Sequence, residues 1–151
     1  MYWRRAFPGE PVQVGAARVF VAYLLAGFPP LDDVLLALDE LAVNAIRHTG
    51  SGRPGGAFAV AVYRDAAGVT VSVTDQGAST EPRVKGLAGA IDPVDLAECG
   101  HGLLTVTALA ITWYWSGAPC SRTVHATFAV THLRRDHTAT PADPLPPEAA
   151  L

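Results

Sequence analysis

The 151 residues carry a net charge of −3 with acidic and basic side chains interspersed, so no basic stripe runs along the chain to follow a phosphate backbone. Direct nucleic-acid binding is not expected. Half of the residues are hydrophobic, which at this length is enough for one core and leaves no need for a second.

The N-terminal stretch Met1-Tyr2-Trp3-Arg4-Arg5 reaches Pro8-Gly9 without an apolar secretory segment, and residues 3–7 fit an edge strand running into a turn. Pro11 suits the first turn of a helix whose apolar face is expected to be Val12, Ala16, Val19, Phe20, Tyr23 and Leu24, stopped by Gly27 and Pro29-Pro30. Arg18 falls outside that stripe and is expected in solvent. A second helix starts near Leu31 with Asp32 and Asp33 at the positive end of its dipole. It buries Leu35, Leu38, Leu41, Ala42 and Ala45 and ends at Thr49-Gly50-Ser51-Gly52.

The period then changes to two. Phe58, Val60 and Val62 alternate with small or polar residues, and after Asp65-Ala66-Ala67-Gly68 the pattern resumes at Val69, Val71 and Val73, which predicts a hairpin with one buried face. Residues 76–99 lose periodicity, as a functional loop or lid does. A third helix is predicted over 103–110, with Leu103, Val106 and Ala110 on one side. Strands over 111–116 and 123–131 follow, the second directing Val124, Ala126, Phe128 and Val130 inward, with Gly117-Ala118-Pro119 as the turn between them. Segregated helices and hairpins predict an α+β two-layer sandwich with the helices on one face of a mixed, mainly antiparallel sheet. Residues 1–131 form the expected domain, and the Pro- and Ala-rich residues 132–151 a disordered tail.

The apolar runs are short and interrupted by Asp, Gly or Pro, which argues against a membrane span. Cys99 and Cys120 have neither a C-x-x-C nor a zinc spacing, so ordinary free thiols are expected. A cytoplasmic protein is the simplest reading.

Glu40, Asn44 and His48 recur at i, i+4 and i+8 along the second helix, a polar edge beside its apolar stripe. Buried polar groups cost free energy unless partnered, so this edge suits the wall of a site better than core packing. Asn44 offers a neutral oxygen of the kind that Mg²⁺ accepts while phosphates and water complete its octahedron. Glu40, one turn earlier, is placed to take a proton from a hydroxyl or water attacking a terminal phosphate. Its plain alternative is a helix-surface contact with Asn44. His48 either joins the site or simply complements the dipole in the last turn.

Asp75 ends a strand, where its carboxylate can accept a hydrogen bond from an exocyclic amine such as adenine's, and Gly77 allows close backbone approach. Taken singly, Asp75-Gln76-Gly77 is equally a turn. Gly100-His101-Gly102 opens a helix, whose unpaired amides and positive dipole end favour phosphate.

In order, Glu40-Leu41-Ala42-Val43-Asn44-Ala45-Ile46-Arg47-His48, Asp75-Gln76-Gly77 and Gly100-His101-Gly102-Leu103 resemble the N box and the two glycine boxes of the GHKL ATPase superfamily. The segment from Thr123 to Phe128 is similar to its closing strand. Length and an Arg-bearing first helix most resemble the bacterial anti-sigma-factor serine kinases. The resemblance implies a Bergerat-type fold over roughly residues 7–130, with ATP and Mg²⁺ as ligands. It implies Asn44 as the Mg²⁺ ligand, Glu40 as general base and Asp75 as the adenine contact. Gly77, His48 and Leu103 would line the nucleotide site, Gly100, His101 and Gly102 hold the phosphates, and Thr123 support the adenine pocket.

The partners so implied are a serine-bearing anti-anti-sigma protein and a sigma factor, with the helix around Arg18 as a partner surface, a homodimer included. Two departures are visible: Trp113-Tyr114 stands where relatives often have Trp-Gly, and Ser121-Arg122 precedes Thr123 where a Gly is usual, so the adenine end is expected to be shaped differently. Arg83 and Lys85 are the cations of the lid. A non-catalytic, ATP-dependent anti-sigma module is the alternative function. The ATPase half of a histidine kinase is disfavoured, because no phosphoacceptor helix precedes residue 10.

Overall fold

A computed structural model describes residues 1–78 and 101–130, the side chain of His101 excepted. The lid with Arg83 and Lys85, Cys99, Gly100 and the tail lie outside these residues. In chain order the elements are β1 (Tyr2–Pro8), α1 (Val12–Leu24), α2 (Leu31–His48), a 3₁₀ turn (Gly50–Gly52), β2 (Ala57–Arg64), β3 (Gly68–Asp75), α3 (His101–Leu109), β4 (Thr112–Ala118) and β5 (Ser121–Ala129).

The strands form one sheet in the order β1-β2-β3-β5-β4. Every pairing among the described strands is antiparallel, so the parallel component expected of a mixed sheet is not found among them. The architecture is the predicted two-layer α+β sandwich. Alternation decides which side chains meet the helices. Phe58, Val60 and Val62 of β2, Val69, Val71 and Val73 of β3, and Val124, Ala126 and Phe128 of β5 are all buried. Val34, Leu38, Leu41, Ala42 and Ala45 of α2, Leu103 and Val106 of α3 and Ala110 just after it share their core.

The opposite face, on which no described helix packs, is held by hydroxyls. Thr70 shares a hydrogen bond with Thr127 at 3.0 Å and Thr74 with Thr123 at 2.9 Å. Between them, both ring nitrogens of His125 are engaged, by Ser72 at 2.8 Å and Ser116 at 3.0 Å, with Tyr114 stacked on the imidazole.

Four expectations change. The buried face of α1 is Ala17 and Val21, continued by Leu25, whereas Val12, Val19 and Tyr23 are exposed. Arg18 is exposed but ion-paired with Asp39 of α2 rather than simply solvated, and Phe20 meets Phe7 of β1 edge-on with ring centroids 6.1 Å apart. Gly117 and Ala118 belong to β4, paired with Arg122 and Ser121, so the hairpin turns at Pro119 and Cys120 instead. Val130 follows β5 and is exposed instead of facing inward. Cys120 is an exposed free thiol.

Candidate functional site

The apolar stripe of α2 docks the helix on the sheet and turns its polar edge toward the start of α3. Glu40 and Asn44, one turn apart and both partly buried, meet Gly102 there. A Cβ built on Gly102 would lie 2.7 Å from Oε2 of Glu40 and 3.2 and 3.4 Å from Nδ2 and Oδ1 of Asn44, so a side chain at 102 would occupy the space that these two groups use. Carboxylate and amide therefore lie beside the first turn of α3, the end of a helix at which N–H groups have no intrahelical partner and the dipole is positive. An anion is favoured at this junction.

His48, a further turn along α2, is exposed and lines a cleft of about 410 Å³ together with Arg47, Thr49, Arg53, Gly77 and Ala78 among others. This cleft joins the end of α2 to the end of β3. Thr49 makes the corner: its backbone is extended, with φ −132°, and its hydroxyl donates to Ala45 O at 2.6 Å while accepting from Ser51 N at 3.0 Å. The helix thus ends through a threonine switching to extended backbone and not through a left-handed glycine. The 3₁₀ turn that follows grips the loop after β3, where Gln76 N donates to the fully buried Ser51 Oγ and Gly50 N to Gly77 O, both at 3.0 Å.

Asp75 closes β3 with its carboxylate buried beside this grip. Oδ1 accepts from Gly77 N at 2.6 Å. Burial pushes its carboxyl above the usual range, opposed more weakly by hydrogen bonds from the Gly77 and Arg122 backbones and by the Arg122 charge. A raised folded-state value means that the unfolded chain releases this proton first as pH rises, so the contribution of Asp75 to stability falls as pH climbs through the folded value. In urea titrations across the acid range, wild type is expected to lose stability relative to Asp75→Asn as pH rises, and a parallel pair of profiles would refute this.

Gly77 has φ +78°, and a Cβ there would lie 1.9 Å from Pro119 O in the β4–β5 turn. The close approach that the glycine permits in the structure is that of another backbone, not only that of a ligand.

Two expected site residues lie apart from this group. Leu103 is buried in the core. Thr123 bonds Thr74 on the outer face of the sheet, opposite to Asp75, because neighbouring residues of a strand point to opposite faces. The residue paired with Asp75 on the inner face is Arg122. Its position was readable from the two-residue period that it shares with Val124, Ala126 and Phe128. The buried Ser51 carried no such signal, since Thr49-Gly50-Ser51-Gly52 has the composition of any helix end.

A family model described as a histidine kinase-like ATPase domain matches residues 7–128. The chain belongs to this family. No curated protein matches it. For an ATPase domain of this family the ligand is ATP, and the site has groups suited to it: an acceptor carboxylate at one end, an anion-favouring helix start at the other, and Asn44 beside that start. Mg²⁺ travelling with nucleotide takes most of its ligands from phosphate and water, so one amide oxygen is a fitting protein contribution. No described helix is long and apolar enough to cross a membrane.

Proposed function

We propose that this ATPase domain is a bacterial, cytoplasmic anti-sigma factor that uses Mg–ATP to phosphorylate a serine of an anti-anti-sigma partner, the unphosphorylated partner being the form that releases the sigma factor. The observation that carries the reading is the convergence of Glu40 and Asn44 on Gly102 at the first turn of α3. Asn44 would hold Mg²⁺, which when bound neutralises charge on the phosphates. The first turn of α3 would receive phosphate oxygens, and Asp75 would accept from the amine of adenine. Glu40 would take the proton of the serine hydroxyl as its oxygen bonds to the γ-phosphorus, with the bond to the bridging oxygen breaking and ADP leaving.

The first measurement is thermal unfolding with Mg–ATP. At a hundredfold excess over its dissociation constant, ATP is expected to stabilise the protein by about 2.7 kcal/mol, and Asn44→Ala to lose most of this. The second is transfer of labelled γ-phosphate to a serine-bearing partner. Binding without transfer to any cognate partner would leave an ATP-dependent binding module in place of a kinase, and absence of any ATP-dependent shift would remove the nucleotide reading.

A further inference from the structure

Among the described strands β1 pairs with β2 alone, so one of its edges carries no ladder. Two bonds that flank β1 fix which backbone groups lie on that edge. Arg64 N donates to Met1 O and Gly9 N to Gly56 O, both at 2.9 Å, so in this register the odd-numbered residues turn their N–H and C=O toward β2. In an antiparallel ladder the residues between them point the other way, which directs the backbone groups of Tyr2, Arg4 and Ala6 away from the sheet. All three residues are exposed. Pro8, the next in this series, sits where a missing N–H costs no bond to β2.

The side chains beside this edge carry one sign of charge. Arg4 and Arg5 are both exposed, and as neighbours in a strand they flank the edge on opposite faces of the sheet. The Arg5 guanidinium lies 5.3 Å from the centre of the Phe7 ring and 6.0 Å from that of Phe20, which holds it on the helix side. β1 itself contains no acidic residue. A second copy paired along the same edge would gather the arginines of both chains with no carboxylate between them, and like charges across strands are destabilising. An occupant of opposite charge is favoured.

We propose that the outward edge of β1 binds an acidic, extended segment of a partner protein as an added strand of the sheet. The backbone groups of Tyr2, Arg4 and Ala6 supply the ladder, and two consecutive acidic residues of the partner reach Arg4 on one face and Arg5 on the other. No nucleotide is needed for this contact.

The experiment is an NMR titration of the full chain with the peptide acetyl-Thr-Val-Glu-Glu-Val-Thr-amide and with its Gln-Gln counterpart. The acidic peptide is expected to protect the amides of Arg4 and Ala6 from hydrogen exchange. It should bind about 2–30-fold more tightly than the Gln-Gln peptide, the worth of two exposed cross-strand charge pairs, and high salt should remove most of that difference. Arg4→Glu is expected to abolish the preference. Ala6→Pro, which takes away an outward donor and no bond to β2, is expected to lose binding of both peptides while keeping the fold. No binding of the acidic peptide, or equal binding of the two peptides by wild type, overturns the proposal. Undiminished preference in Arg4→Glu does the same. Undiminished binding by a folded Ala6→Pro overturns strand addition in favour of plain charge attraction. Binding that leaves exchange at Arg4 and Ala6 unchanged has the same meaning and needs no variant.

Discussion

Gly77→Ala is expected to destabilise the protein by about 2–5 kcal/mol, the sum of a left-handed residue with a Cβ and of overpacking against fixed backbone. The conformational part is shared with Gly27, which has the same φ of +78° but open space where a Cβ would go. Gly27→Ala should therefore cost only about 1–2 kcal/mol. The difference between the two isolates the collision with Pro119 O, which cannot swing aside as the tip of a flexible side chain can. Urea unfolding of both variants measures it, and equal losses would show that the β4–β5 turn yields. Because Gly77 N also donates to Asp75, the same substitution should weaken nucleotide binding even where the variant remains folded.

Glu40→Gln is expected to lower γ-phosphoryl transfer by about 10²–10⁴-fold, the range for a positioned general base, while leaving ATP binding nearly unchanged. The amide keeps the shape of the carboxylate beside Gly102 and removes only its ability to take a proton. Asn44→Ala should do the reverse at the level of binding, losing the Mg²⁺-dependent part of the affinity. Both are read from the same pair of assays, a thermal shift with Mg–ATP and transfer to a serine partner. Full transfer by Glu40→Gln would remove Glu40 from the chemistry, and unaltered Mg²⁺ dependence in Asn44→Ala would remove Asn44 from the metal.

The parts of the fold that one period decides were legible from residues alone. The bounds of α2 followed from spacing, as did five of its seven buried residues, Val34 and Ala37 being the two missed, and so did the inward faces of β2 and β3 and, Val130 apart, that of β5. In α1 spacing failed for a physical reason. Its sequence VQVGAARVFVAYL is apolar on nearly every side, so the contacts that orient it are made elsewhere, by Asp39 with Arg18 and by Phe7 with Phe20. The meeting of Glu40 and Asn44 with Gly102 was anticipated from motif order, since each motif falls at the end of an element. The face on which Thr123 lies was not, because the resemblance names a residue while the strand register decides where it points. Gly77 was legible as a place of close approach, but what approaches it belongs to a turn more than forty residues away along the chain.

The grip of Ser51 and Gly50 on Gln76 and Gly77 bears on how a ligand would be met. Asp75 and Asn44 sit on different elements, yet each is within a few residues of that joint, and the joint is closed by backbone donors and a hydroxyl with no solvent access. The entropy of bringing the two ends into register is thus lost once, during folding, and not again at each encounter. A bound molecule that spans both ends gains from a ruler already set. Length, and not only charge or base identity, becomes a property that the protein can select.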